Sequence, residues 1–307
     1  MRTGGVMNIS LIGLGAIGAS YAEKLNECES ANLSIILDEN RYKTYFNSEF
    51  TINGKVQHFN YVKDTDPAVP ADLVIIAVKY NELQNAIRLV RNHVGENTTI
   101  MSLLNGIDSE EIIGATYGAE KLLYSMCLGI DAQRTNKEVS YGSIGKIVFG
   151  EKDSHISTRV ETISRLFETA NVPYENPADM YKQMWWKFMI NVCSNQPTAI
   201  LGANYHFLNT DNGHRIMHLV MTEVSAIAKV KGVIITEDDF NAWIKLLGTM
   251  VPENKTSMLQ DMDAGRATEV DMFSGVICKI GDEHGIETPY NDLMYHMIKL
   301  KEQIVKR

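Results

Sequence analysis

Asn8-Ile-Ser-Leu-Ile-Gly13-Leu-Gly15-Ala-Ile-Gly18-Ala-Ser-Tyr-Ala-Glu-Lys-Leu25 is the stretch on which the fold turns. Residues 8–12 are a short aliphatic strand pattern that runs straight into Gly-x-Gly-x-x-Gly, and residues 19–25 have helical composition. Strand, glycine loop and helix in that order are what a dinucleotide-binding βαβ unit requires. Gly13 permits the tight turn, Gly15 lets the backbone approach a pyrophosphate, and Gly18 allows close helix–strand packing. Leu14, Ala16 and Ile17 complete the loop, and the unpaired N–H groups of the helix start face the phosphates.

Working outward, residues 33–37 read as a second strand that ends at Asp38, twenty residues after Gly18. An acid in that place hydrogen-bonds ribose hydroxyls and repels a 2′-phosphate, which favours NAD. Arg41 and Lys43 follow closely, and either could clamp a 2′-phosphate instead. Residues 51–61 alternate around Asn53-Gly54, a hairpin signal. Leu73-Val-Ile-Ile-Ala-Val78 is apolar throughout, as a buried parallel strand should be, and it delivers Lys79 at its carboxyl end. A helix from 81 or 82 to about 95 follows. The strand at 98–104 then delivers Asn105-Gly106 in the same way. Beyond a helix at 111–117 and a strand at 122–128, residues 139–142 and 147–150 read as an antiparallel pair. A helix at 156–169 and a strand at 172–174 close this half.

From residue 177 onward strand patterns largely vanish. The expected architecture is therefore α/β, with a Rossmann-type dinucleotide-binding domain over 7–176 followed by an all-helical domain over 177–307. The helical half opens with Trp185-Trp186-Lys187-Phe-Met-Ile-Asn191-Val-Cys-Ser-Asn195, in a helix expected to stop near Pro197. Lys187, Asn191 and Asn195 recur every four residues and drift by only ~80° around the axis, so they form one polar stripe on an otherwise apolar helix. A solvated surface stripe and a ligand-facing stripe are both consistent with that pattern. Further on, an unbroken helix would set Ser257 and Glu269 ~18 Å apart and ~120° around the axis. Gly265 breaks it, and Thr268-Glu269-Val-Asp271 resembles a capping box, so a new helix is expected at Thr268 with Glu269 in its first turn. Another begins at Thr288-Pro289, with threonine as cap and proline first.

Composition bounds the function. Lys plus Arg number 29 against 38 Asp plus Glu, a net charge of −9, which argues against a nucleic-acid surface. The four cysteines lie far apart with no C-x-x-C pair, a pattern that fits a reducing cytosol. No apolar run approaches the ~18 residues of a membrane span, and Met1-Arg-Thr-Gly-Gly-Val6 lacks a signal-peptide core and reads as a short leader before Met7. A cytoplasmic chain with no membrane or nucleic-acid partner is expected. His214 and His218 have the spacing of half a metal site but lack a third ligand in a fitting motif, so no metal is expected.

Taken together, these residues resemble the ketopantoate reductase (2-dehydropantoate 2-reductase) family. The resemblance runs from Met7 nearly to the C-terminus. Gly13-Leu-Gly-Ala-Ile-Gly18, Val78-Lys79 and Asn105-Gly106 carry it in the first half. Trp186-Lys187-Phe-Met-Ile-Asn191, Asn195-Gln-Pro-Thr-Ala-Ile200, Ser257-Met-Leu-Gln-Asp261, Thr268-Glu269-Val-Asp271 and His284-Gly-Ile-Glu-Thr-Pro289 carry it in the second. The resemblance implies a helical domain of the 6-phosphogluconate dehydrogenase C-terminal type, NADP(H) on the glycine loop, and reduction of a small 2-keto acid, ketopantoate. It further implies Lys187 as proton donor, Glu269 as acceptor of the substrate hydroxyl, Asn191, Asn195 and Ser257 as substrate contacts, and Asn105 between nicotinamide and substrate. Relatives occur as monomers and dimers, so a homodimer is allowed. The family more often has a basic residue where this chain has Asp38, which keeps NAD(H) open. A dehydrogenase of opine or 3-hydroxy-acid type, or a nucleotide sensor without chemistry, are the competing readings.

Overall fold

A computed structural model describes residues 5–305 of the chain; residues 1–4 of the expected leader lie outside them. Contacts divide the chain into two compact units: Met1–Leu104 with Asp108–Tyr181, and Asn105–Ile107 with Lys182–Arg307. The second division falls inside the helix Met180–Leu201, and the tripeptide at Asn105 belongs with the helical unit.

The first unit is built on an eight-stranded sheet in the order Tyr174–Glu175, Lys146–Gly150, Leu122–Leu128, Thr99–Ser102, Leu73–Ile76, Met7–Ile12, Ala31–Leu37, Asn60–Lys63. All neighbours are parallel except Leu122–Leu128 with Lys146–Gly150. Ile12 is level with Ile36 on one side and Ile76 on the other. Chain order runs outward in both directions from Met7–Ile12 and Leu73–Ile76, so the switch point where such sheets bind ligands lies at the carboxyl ends of these two strands. Ile9, Leu11, Ile35, Leu73 and Ile75 are at most 4% exposed, as strands covered on both faces must be.

The hairpin forms at Asn53 and Gly54, both at positive φ (47° and 76°), the backbone that a two-residue turn between right-twisted strands demands. The expected pairing of 139–142 with 147–150 does not occur. Glu138–Ser140 instead joins a separate four-stranded ribbon between Phe50–Ile52 and Gln133–Thr135, while Lys146–Gly150 lies on Leu122–Leu128. Local alternation cannot choose among strand partners far apart in sequence.

Glu110, at the start of the helix Ser109–Tyr117, is only 2% exposed. Burial pushes its carboxyl up to about 7, although the Ser109 hydroxyl donates to it at 2.9 Å. The folded state holds this proton more tightly than the unfolded chain, so its contribution is intact below about 4.5 and is lost as pH rises through about 7. Glu110→Gln is expected to remove that slope and raise stability at pH 8 by up to about 3 kcal/mol relative to the parent, read from denaturant midpoints across pH.

The helical unit is dominated by Met180–Leu201, which continues past Pro197 rather than stopping at it. Carbonyls around the proline receive side-chain donors: Gln196 Nε2 reaches Val192 O at 2.8 Å, and Thr198 Oγ1 reaches Ser194 O and Asn195 O at 2.9 Å each. Those bonds and near-complete burial of 192–199 hold the helix through its break. Thr256 caps Ser257–Asp263, and the break expected at Gly265 is present, with positive φ there. The helix expected at Thr268 instead begins at Ser274. Residues 269–273 form a turn in which Glu269 O accepts from Met272 and Phe273 N–H, and Thr268 donates through N–H and hydroxyl to Glu302 at 2.7 Å. The capping-box partner is thus recruited from the last helix, Pro289–Val305. That helix starts on the buried carboxylate of Glu223, which accepts from Tyr290 and Asn291 N–H at 2.8 and 2.9 Å. No helix among the described residues is long and apolar enough to cross a membrane.

Candidate active site

In the first unit the glycine loop is closed where packing demands it and open where a ligand would come. A Cβ on Gly13 would lie 2.3 Å from Ala77 O, and φ there is +105°. A Cβ on Gly18 would lie 2.0 Å from Gly13 O. On Gly15 the nearest atom would be 4.0 Å away. Gly15 is also the N-cap of the helix Ala16–Asn26 and offers no side chain to its first N–H groups. An open N-terminus with room for an anion fits a dinucleotide pyrophosphate. The loop is braced from the ribbon by Arg134. Its guanidinium donates to Leu14 O and to Tyr45 OH and lies 5.8 Å from the Tyr45 and Phe50 ring centres. A lone arginine on an edge strand has no sequence signature, so only the fold reveals this contact.

Asp38 sits at the N-cap of the helix Glu39–Phe46 and accepts from Arg41 N–H at 2.8 Å. The Arg41 guanidinium faces Asp38 at 3.5 Å and Glu82 at 3.0 Å. Lys43 pairs with Glu39 at 3.1 Å. Lys79 follows the strand Leu73–Ile76 and is exposed at the N-cap of a short 3-10 turn.

The helical unit gathers the remaining predicted residues into two linked groups. Lys187 Nζ donates to Asn105 Oδ1 at 2.9 Å, and Asn105 Nδ2 donates to Glu269 Oε2 at 3.4 Å. Asn105 therefore lies between a cation and a carboxylate, with each end of its amide facing the charge it complements. One turn along, Asn195 Nδ2 reaches Asn191 O at 3.1 Å and Asn191 Oδ1 at 3.3 Å. Asn195 Oδ1 accepts from Ser257 Oγ at 3.1 Å and from Met258 N–H at 3.3 Å. At 5% exposure, with both ends of its amide engaged, Asn195 fixes the helix start that presents the exposed Ser257. Lys187, Asn191 and Glu269 are half-buried. On the other side of the same helix Trp185, Phe188, Met189 and Val192 are at most 1% exposed. The helix is oriented by burial, and its polar stripe contacts Asn105 through Lys187 and Ser257 through Asn195.

Among the described residues no group of three or more histidine, cysteine or acidic side chains is placed to hold a metal ion. Burial pushes the Cys193 thiol up to about 12, so its reactive thiolate is suppressed. His218 Nε2 contacts Glu237 at 3.0 Å and His214 Nε2 contacts Asn209 Oδ1 at 3.2 Å, so each histidine of the pair has its own partner.

Comparison with known proteins agrees with both units. The family model described as ketopantoate reductase PanE/ApbA matches residues 9–154, and the one for the C-terminal part of that protein matches 179–302. The 2-dehydropantoate 2-reductase of Aquifex aeolicus is 30% identical over 308 residues, covering 97% of each chain. Similar solved structures include a D-mandelate dehydrogenase with NADH and anilino(oxo)acetate (TM-score 0.86, 19% identity, 97% of this chain and 99% of that one). Another is the 2-dehydropantoate 2-reductase of Geobacter metallireducens (TM-score 0.83, 23% identity, 96% and 99%). With family models spanning both halves and a relative matched end to end, the chain belongs to the ketopantoate reductase family, whose members are oxidoreductases.

Proposed function

We propose that this chain reduces ketopantoate to pantoate, the reductase step of pantothenate biosynthesis, with Lys187 as proton donor. The observation that carries the reading is the line Lys187–Asn105–Glu269, assembled within the helical unit beside Asn191, Asn195 and Ser257. Gly13, Leu14, Gly15, Ala16, Ile17 and Gly18 would hold the pyrophosphate, with Asp38, Arg41, Lys79 and Asn105 reading the rest of the nucleotide. When bound, the reduced nicotinamide supplies the electron pair and hydrogen that reach the carbonyl carbon.

The protein's own part is proton delivery and orientation. As negative charge grows on the carbonyl oxygen, the Lys187 ammonium offsets it and gives up a proton, leaving a neutral alcohol. Glu269 accepts from the substrate hydroxyl and keeps a positive neighbour favourable through Asn105. Ser257 and Asn191 hold the hydroxyl and carboxylate ends, and Asn195 sets Ser257 in place. So small a substrate needs this many polar contacts to be oriented. Steady-state turnover of ketopantoate against aliphatic and aromatic 2-keto acids, with each reduced nicotinamide, tests the reading. If no 2-keto acid oxidises either cofactor, it is wrong.

The resemblance implies NADP(H), but the surroundings of Asp38 support NAD(H). The Asp38 carboxylate is fixed as a helix cap, and Arg41, the cation closest to it, is already turned toward Asp38 and Glu82. A 2′-phosphate would have to approach two carboxylates. Asp38→Ser keeps a capping oxygen while removing the charge. Nucleotide titrations are expected to show NADH bound more tightly than NADPH by the parent, and the ratio shifted about tenfold toward NADPH in the variant. An unchanged ratio would refute the role given to Asp38.

A further inference from the structure

Arg134 brings a positive charge to the glycine loop without an acid to balance it. It lies, half-buried, on the strand Gln133–Thr135 of the four-stranded ribbon. Its guanidinium is held at three points: Nε donates to Asn136 O at 2.6 Å, Nη2 to Tyr45 OH at 2.6 Å, and Nη1 to Leu14 O. All three acceptors are neutral, and among the described residues no carboxylate pairs with it. The cations of the helix Glu39–Phe46 are engaged otherwise, Arg41 with Asp38 and Glu82, and Lys43 with Glu39. A neutral donor would brace a carbonyl and a phenol as well, whereas a charge taken partly out of water without a counter-ion costs free energy. The arrangement lacks an anion.

The carbonyl that Arg134 holds belongs to the Leu14–Gly15 peptide. In a trans peptide the N–H points opposite to the C=O, so the Gly15 N–H is directed away from the guanidinium. It donates to no acceptor among the described residues. Gly15 is also the N-cap of Ala16–Asn26 and brings no side chain to that helix start. A carbonyl that accepts from a cation is polarised, and the polarisation passes through the peptide to strengthen the N–H on its other edge as a donor.

We propose that Arg134 is a nucleotide-positioning residue: it aims and polarises the Gly15 N–H for a phosphate oxygen of the dinucleotide, and the phosphates supply the negative charge its guanidinium lacks. The inference rests on the nucleotide being held on the glycine loop. Cation and anion then face opposite edges of one peptide, next to a helix N-terminus that favours the same anion. The rings of Phe50 and Tyr45, 1% and 8% exposed, have centres 5.8 Å from the guanidinium carbon and keep it from swinging into solvent. Tyr45 belongs to the helix capped by Asp38, so one guanidinium joins the phosphate loop to the element that starts at the ribose-reading acid.

Calorimetric titration of the full chain with NADH and NADPH, at low and at high salt, tests this. Arg134→Met keeps the bulk of the side chain and removes its charge and donors. It is expected to retain the parental far-ultraviolet circular dichroism and to bind nucleotide about tenfold more weakly. Its affinity is also expected to vary less with salt, because one screened charge pair is gone. Tyr45→Phe removes one hydrogen bond of the brace but leaves the charge and the Leu14 contact, and is expected to bind nucleotide as the parent does. Should Arg134→Met fail to fold, Arg134→Lys decides. Its single ammonium cannot span three acceptors, so about threefold weaker binding with the parental salt dependence is expected, and parental affinity would overturn the proposal. A folded Arg134→Met that binds like the parent, or that loses affinity with its salt dependence unchanged, would overturn the proposal and leave the nucleotide reading intact. A parent that binds neither nucleotide would overturn both.

Discussion

Lys187→Ala is expected to lower turnover of the keto acid by about a thousandfold while nucleotide affinity stays within a factor of two. A positioned general acid contributes about 10²–10⁴, and an electrostatic donor to a developing oxyanion about 10²–10³. Here one ammonium would do both, so the estimate sits inside the shared range and corresponds to about 4 kcal/mol of transition-state stabilisation. The nucleotide-binding residues of the glycine loop and Asp38 lie in the other unit, which is why binding should survive. Lys187→Arg separates the two parts of the role. It keeps the charge but holds its proton too tightly to release it, so recovery to near parental turnover would mean that charge alone is at work. A sensor that binds nucleotide without chemistry predicts no effect from either change. Steady-state kinetics with a parallel nucleotide titration reads all three outcomes.

Gly18→Ala is the second large effect, and it arises in a different way. The added methyl would stand 2.0 Å from Gly13 O and 3.0 Å from Ala77 Cβ. Two of the nearest neighbours are backbone, so no rotamer change relieves the contact, and the helix must move off the strand. Displacing a helix from a close-packed sheet belongs with the largest single-residue costs, about 4 kcal/mol or more. The same movement takes the first N–H groups of Ala16–Asn26 away from any phosphate they would cradle. The variant is therefore expected to be destabilised in denaturant and to bind neither nicotinamide nucleotide. Gly15→Ala is the useful contrast. Its methyl meets nothing within 4.0 Å, so stability should hold while nucleotide binding weakens, because the space it fills is the space a pyrophosphate needs. Equal losses of stability in the two variants would contradict this division of labour within the loop.

Residues close in sequence were largely legible in advance. The first strand, the glycine loop and its helix, the Asn53-Gly54 turn, the Thr288-Pro289 helix start and the break at Gly265 all follow from dihedral preferences, capping and periodicity. The Lys187, Asn191, Asn195 stripe belongs with them, since one helix fixes its geometry. Errors came where a local rule met a distant partner. Pro197 reads as a stop, yet surrounding burial and the Gln196 and Thr198 side chains carry the helix through it. Thr268 reads as a cap for residues just ahead of it, yet it is satisfied by Glu302, 34 positions away.

What the sequence by itself determined is the chemistry on offer: a glycine cradle, an acid at the end of the second strand, and a lysine with amides on one helical face. Only the tertiary structure decided their company. It inserted Asn105 between Lys187 and Glu269, committed Asn195 to Ser257 and turned Arg41 toward Glu82. The physical reason is range. Backbone preference and helical period act over a few residues, whereas burial and hydrogen-bond satisfaction are settled between side chains 40 to 160 positions apart, as Arg41 with Glu82 and Asn105 with Glu269 are.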